Sequence, residues 1–404
     1  MQVSWDQVFS WRVQRQFVDP RTTSDAVAVV ERLCGVQAQV TSAAETAVAL
    51  RRSTGEPGAV VAALGEGTLM KTWAMRGTLH ALTPEQGAAA LSLMASARTW
   101  EKPAWTRASG ATPDDVAALV KAVGDILDGR VLTRAELVAE LIAERRFQPL
   151  EDHLRSGWGS MLKPLAWQGA LCHGPSRGTS VTFTNPTHVI PGWSGIPDPD
   201  AAAPTVIRAY LGAYGPATPD IFNTWLTRGF LSKPTVRRWF SDLGNELTEI
   251  DVEGRPGYFL TAHLDELART EPTSAVHLLG QFDQYVLGPG TGDTALLPGD
   301  HRAKVSRAAG WISPLVLTGG RITGTWDLDK GDLTVSMFDG APVPTAQLTA
   351  ELPRIAKTSP SQQSALPESP RTHPRRGRSG AGFVLFGDEA FGIFAAALAA
   401  HQGG

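Results

Sequence analysis

The stretch Ala217-Thr218-Pro219-Asp220-Ile221-Phe222-Asn223-Thr224-Trp225-Leu226-Thr227-Arg228-Gly229, with residues 232–260 behind it, decides the fold. Thr218 can cap a helix, and Pro219 suits the first helical position because no N–H is needed there. The helix should run to about Thr227 and break at Gly229. Ser232 can cap a second helix carrying Pro234, Val236, Trp239, Phe240 and Leu243, with Gly244 ending it. Leu247, Ile250 and Val252 lead into the turn run Glu253-Gly254-Arg255-Pro256-Gly257, and Tyr258, Phe259 and Leu260 return as a strand. Helix, turn, helix and hairpin make a winged helix.

The same order recurs upstream. Thr112-Pro113-Asp114-Asp115 offers a cap, a proline and first-turn acids; Gly129 ends that helix, and Thr133 with Glu136 opens the next as a capping box. A further helix is expected over about 151–167, then a hairpin from strands at 170–172 and 181–184. The first copy is less regular. It has a helix over 25–34, a capping box at Ser42-Ala43-Ala44-Glu45 opening a helix to about Arg52, a short helix over 57–64, and strands near 69–73 and 78–82.

Beyond Thr273 the texture is β, with short strands expected at 276–279, 285–287, 312–317, 321–326 and 333–338. Periodicity is lost from about Pro353. Ser, Pro and Arg then dominate through Ser379, as in a disordered basic tail, and a terminal helix is expected over 383–400. The fold class is therefore α+β: three tandem winged-helix units (1–105, 106–198 and 199–268), a small C-terminal β-barrel or sheet (269–350), and a tail (351–404).

With 404 residues, 42% hydrophobic, the chain can bury several cores. A net charge of −3 lacks the basic excess usual for nucleic-acid binders, so any such contact must come from a local basic face. Cys34 and Cys172 are too few for a thiolate metal site and read as small buried thiols. The first residues lack the basic and apolar regions of a signal peptide, and no apolar run is long enough to span a bilayer. The expected compartment is the cytoplasm, and nothing demands more than a monomer. No phosphate loop, His-Glu-x-x-His or Gly-x-Ser-x-Gly occurs, and neither a metal nor a cofactor is expected.

The candidate chemistry lies in Gly35-Val36-Gln37-Ala38-Gln39, between two helices. In extended backbone Gln37 and Gln39 point the same way and Ala38 points opposite. Two convergent carboxamides can donate and accept around one water molecule. Taken alone, a Gln-x-Gln more often caps helix ends or faces solvent.

This segment, with Lys71-Thr72-Trp73-Ala74-Met75-Arg76-Gly77-Thr78-Leu79-His80, resembles the AlkZ/YcaQ family of interstrand-crosslink DNA glycosylases. So do Leu278-Leu279-Gly280-Gln281-Phe282-Asp283-Gln284-Tyr285-Val286-Leu287-Gly288, Ala309-Gly310-Trp311-Ile312-Ser313-Pro314 and Gly324-Thr325-Trp326. The likeness covers roughly residues 5–345. It implies tandem winged helices around a β-barrel, and a catalytic Gln-x-Gln that falls on Gln37 and Gln39 and marks the AlkZ-like branch. It also implies excision of N7-alkylguanine from double-stranded DNA and self-resistance to a DNA-alkylating natural product.

The residue chemistry agrees with that substrate. An amide is a poor base, so the pair can position water but hardly deprotonate it. Guanine alkylated at N7 is already cationic and leaves as a neutral base without a general acid. No lysine accompanies the pair in sequence, so water is the expected nucleophile, with no strand cleavage. For DNA contact the candidates are Arg76 and His80 beside the first hairpin, and His301, Arg302, Lys304 and Arg307 as a local cationic cluster. A buried ion pair, a satisfied core histidine and a solvated face are the alternatives. Lys233, Arg237 and Arg238 rank lower, as do Arg371, Arg375, Arg376 and Arg378 of the tail. Two other functions fit the same elements: a non-catalytic winged-helix regulator, and a protein that sequesters the alkylating compound.

Overall fold

The first two residues of the described chain, β1 (Gln2–Val3), belong to a sheet whose other strands lie some 250 residues away. The computed structural model describes residues 2–358 except Trp158, Lys330 and Gly331. Helix Trp5–Arg15 follows, opened by a capping box between Ser4 and Gln7.

Three sheets organise the rest. The largest has six strands: β2 (Val36–Gln37), β3 (Met70–Trp73), β4 (Leu79–Leu82), β5 (Val131–Thr133), β6 (Cys172–His173) and β7 (Thr182–Thr184), in the order β2-β4-β3-β6-β7-β5. The hairpins of the first two expected units thus share one sheet, running across the 105/106 boundary and joined at Lys71 opposite His173. An aromatic seam closes that joint. Trp73 and His173 lie 5.0 Å apart by ring centres, and Phe183 is 5.0 Å from His173 and 5.8 Å from Trp73.

The caps read from sequence form at Thr112, Thr133, Thr218 and Ser232. Helices Pro219–Thr227 and Lys233–Asp242 lead into β8 (Leu247–Val252) and β9 (Arg255–Leu260), closed through Glu253 and Gly254 at positive φ. β1 runs parallel to β8 on its free side.

The helix expected over 151–167 is two helices, Glu151–Arg155 and Leu162–Trp167. Gly159 lies between them at φ +63°, where a Cβ would stand 2.5 Å from the Trp73 ring, so the backbone must approach without a side chain. The box at Ser42 and Glu45 does not form. Helix Thr41–Ala49 starts without a side-chain cap, and Glu45 accepts N–H bonds from Gly58, Val60 and Val61, capping helix Ala59–Gly65 instead.

The C-terminal strands β10 (Val276–Leu279), β11 (Leu315–Thr318), β12 (Arg321–Asp329) and β13 (Asp332–Met337) form an open antiparallel meander. No closed barrel is present among the described residues. The strand expected at 285–287 is the helix Gln284–Leu287, because Asp283 accepts the Tyr285 N–H at 2.8 Å and caps it. Helix Thr345–Thr358 crosses the expected start of the tail with Pro353 inside it. Leu348, Leu352 and Ile355 recur at helical spacing and pack on Leu278, Val316, Leu333 and Leu50. The tail arginines and the helix expected over 383–400 lie outside the described residues.

Candidate active site on an edge strand

The helix Ala26–Arg32 ends abruptly. Cys34 and Gly35 both take positive φ (52° and 91°), which turns the chain into β2. A Cβ at Gly35 would stand 2.8 Å from Leu82 Cδ2, so this reversal fits glycine. Val36 and Ala38 are buried with Val29, Val48 and Ala81 on one face. Gln37 takes the other face and is 7% exposed, while Gln39 is exposed. The alternation holds for Val36, Gln37 and Ala38, and β2 ends at Gln37, before Gln39.

Strand β2 is the outer strand of its sheet. Ala38 N–H donates to Leu79 O at 2.8 Å, and Leu79 N–H donates to the Gln39 side chain, Oε1, at 3.4 Å. Gln39 thereby extends the ladder with its amide and is fixed beside the hairpin. Among the described residues no hydrogen bond reaches the Gln37 carboxamide.

Gln37 stands opposite His80 on β4, and His80 opposite Thr72 on β3. Residues paired in this way share a face, so the three form a polar row across three strands. His80 and Thr72 are fully buried. The Nδ1 of His80 lies 3.0 Å from Thr78 O, which can only accept, so Nδ1 carries the proton. Burial, with Arg76 nearby, pushes the imidazole pKa down to about 3, so the ring is neutral with a bare Nε2. Neither that Nε2 nor Thr72 Oγ1 has a partner among the described residues. The row holds no carboxylate.

His80 is therefore buried in the sheet beside Gln37 and is not a surface contact. Arg76 is half-buried at the turn between β3 and β4, and its Nη1 donates to Trp225 O and Leu287 O, both at 3.2 Å. It staples the first hairpin to two distant segments. His301 is 8% exposed, 2.9 Å from Asp339 through Nε2, and stacked on Phe338. Arg302, Lys304 and Arg307 are exposed; Arg302 donates to Thr291 Oγ1 at 3.2 Å. No hydrogen bond or ion pair among the described residues joins this cluster to the glutamines. Cys34 and Cys172 are buried and unpaired, and burial pushes both thiols up to about 12.

Lysine does come near the pair through the fold. Lys71 Nζ lies 3.3 Å from Thr41 Oγ1, two residues past Gln39 in the chain. Lys71 neighbours Thr72 in a strand, however, so it takes the face opposite Gln37. Lys163, which no sequence motif marked, packs at Gly77 of the hairpin turn.

The segment 280–288 positions the site without entering it. Asp283 takes a two-pronged ion pair from Arg51 at 2.7 and 2.8 Å, both side chains fully buried, which ties it to the helix after Gln39. Gly288 lies against the ring of Tyr214, whose hydroxyl donates to Leu33 O at 2.6 Å at the end of the helix before Gln37. A concavity of about 430 Å³ lined by Pro84, Trp193, Ile196 and Thr205 contains neither glutamine.

Comparison with known proteins defines the class as a DNA glycosylase, an N-glycosyl hydrolase. The chain belongs to the AlkZ-like DNA glycosylase family, whose model matches residues 30–359. It is 54% identical over 361 residues to an interstrand DNA cross-link repair glycosylase of Streptomyces sahachiroi, covering 89% of this chain and 97% of that one. The solved structure of the Streptomyces sahachiroi DNA glycosylase AlkZ superposes with a TM-score of 0.89 at 53% identity, covering 92% of this chain and all of the other. No helix among the described residues is long and apolar enough to cross a membrane.

Proposed function

We propose that this protein hydrolyses the N-glycosidic bond of N7-alkylguanine in duplex DNA, unhooks interstrand crosslinks built on that adduct, and leaves an abasic site. Gln37 and Gln39 hold the attacking water beneath C1′. The observation that carries the reading is the Gln37 carboxamide: nearly buried, without a protein hydrogen bond, on an edge strand beside a solvent-facing partner amide. The residue is packed while its amide atoms still reach solvent, so a water can take the hydrogen bonds the protein leaves open. His80 and Thr72, its partners in the row, are neutral, so the site supplies position and hydrogen bonds rather than acid or base. That is enough only for a leaving group already carrying positive charge. Excision of such adducts would give its host self-resistance to a DNA-alkylating natural product. One copy of the chain suffices for the arrangement.

The test is a duplex holding a single N7-methylguanine. Free base should be released by the wild-type protein and not by Gln37→Ala or Gln39→Ala. Equal release by all three removes the pair from the mechanism. Footprinting on undamaged promoter DNA addresses the regulator alternative, and titration of an alkylating compound without DNA addresses sequestration.

A further inference from the structure

The turn joining β3 to β4 gathers charge that the glutamine pair does not use. Arg76 occupies it at φ +59°, with Nη1 held by two carbonyls and Nη2 buried without a partner among the described residues. Lys163, on helix Leu162–Trp167, lies along the next residue. Its Nζ is 4.0 Å from where a Cβ on Gly77 would stand. Lys163 is half-buried, and no hydrogen bond or ion pair to its ammonium occurs among the described residues. Arg228, the exposed C-cap of helix Pro219–Thr227, donates from Nε to the Arg76 carbonyl at 3.3 Å. Cations from three segments thus meet at one turn, and neither Arg76 nor Lys163 is ion-paired with a carboxylate among the described residues.

Such a grouping is unfavourable by itself. Burial and the Arg228 charge push the Lys163 pKa down to about 8, and burial with the same neighbour pushes Arg76 down to about 10. An anion seated among them reverses both effects. An ammonium on a flexible stem and a planar guanidinium are the two groups that bind phosphate oxygens, the second with two parallel donors. Gly77 presents no side chain to block approach, and Leu79, two residues on, is the donor to Gln39.

We propose that Lys163 and Arg228, with the charge of Arg76 behind them, bind a backbone phosphate of the DNA strand that carries the target nucleotide. The contact sets that nucleotide's sugar over Gln37 and Gln39. This rests on the glycosylase reading above for the identity of the polymer, not for the existence of the anion site.

The test measures binding, not excision. Affinity of the full chain for a fluorescent duplex is followed against salt for the wild type, Lys163→Gln, Lys163→Arg and Arg228→Gln, each checked for an unchanged thermal transition. Losing one phosphate contact should weaken binding several-fold and make the slope of log affinity on log salt shallower by about one. Lys163→Gln and Arg228→Gln should each do this, and Lys163→Arg should restore the wild-type slope. Wild-type slopes in both glutamine variants overturn the proposal. A slope change alongside failure of the wild type to release N7-methylguanine leaves the anion site standing and removes the glycosylase reading alone.

Discussion

Gln37 and His80 face each other across β2 and β4 as a non-hydrogen-bonded pair, the close-approach kind, because the ladder bond falls on the neighbouring Ala38–Leu79 pair. The proton of His80 is committed to Thr78 O, so the side toward the row is an acceptor. Gln37 offers two donors and one acceptor. If its NH₂ turns to the imidazole, Oε1 is left facing out, where it can accept from water and aim the water's lone pair at the sugar. His80 is then a positioning residue. His80→Leu should lower kcat more than tenfold with KM little changed, and His80→Gln, which returns an acceptor, should recover much of it. The side-chain amide resonance of Gln37 in ¹⁵N-glutamine-labelled protein should shift in His80→Leu. Unchanged kcat and an unmoved resonance would sink the assignment.

Burial of the ion pair between Arg51 and Asp283 makes a stability prediction. Both side chains are fully buried, and the carboxylate also caps Gln284–Leu287 through the Tyr285 N–H. Removing one partner leaves an uncompensated buried charge, at a cost of about 3–5 kcal/mol. Asp283→Ala should lower the urea midpoint accordingly, with the slope unchanged. Because the helix after Gln39 hangs on this pair, residual folded protein should also show reduced excision. A midpoint within error of wild type would show that the segment is held some other way.

What the sequence made legible was local. Thr218, Thr133 and Ser232 cap the helices they precede, because a hydroxyl and an N–H three residues on need nothing else. The alternation of Val36, Gln37 and Ala38 was readable too, since it needs only extended backbone. The misses are tertiary. Glu45 has the spacing of a capping box, but a neighbouring helix offers three N–H groups and wins it. Tyr285-Val286-Leu287 has strand composition, but Asp283, fixed by Arg51, starts a helix there. Pro353 looked like an end, although the apolar spacing of Leu348, Leu352 and Ile355 continues through it and the sheet rewards it with burial. His80 read as a DNA contact, since nothing in its own neighbourhood says that β3 and β2 will flank it. Lys163 carried no signal at all, because its meaning comes from a turn 86 residues upstream.

Acid should unfold this protein earlier than its carboxylates alone would. His80 and His173 are both held down to about 3 from an ordinary value of 6.5, chiefly by burial. Between those values the unfolded chain takes up protons that the folded chain refuses. Their contribution to stability is complete above about pH 6.5 and is lost as pH falls toward 3. The thermal midpoint should therefore drop steadily from pH 7 to pH 4. In His173→Phe, which keeps an aromatic ring beside Trp73 and Phe183, the drop should be shallower. Parallel curves for the two proteins would remove His173 from the account.

The nucleophile can be tested by trapping. A glycosylase that attacks with an amine passes through an imine, which borohydride reduces to a permanent protein–DNA bond. Two lysines have to be considered as alternative nucleophiles. Lys71 takes the opposite face of β3, and Lys163 sits at the hairpin turn, where a phosphate rather than C1′ is its expected partner. With water held by Gln37 and Gln39, borohydride added during turnover of an N7-methylguanine duplex should yield no covalent complex, and the product strand should stay intact until base treatment. A trapped species that disappears in Lys163→Gln would make that lysine the nucleophile. Its pKa, pushed down to about 8 by burial and the Arg228 charge, would then leave part of the amine free for that attack near neutral pH.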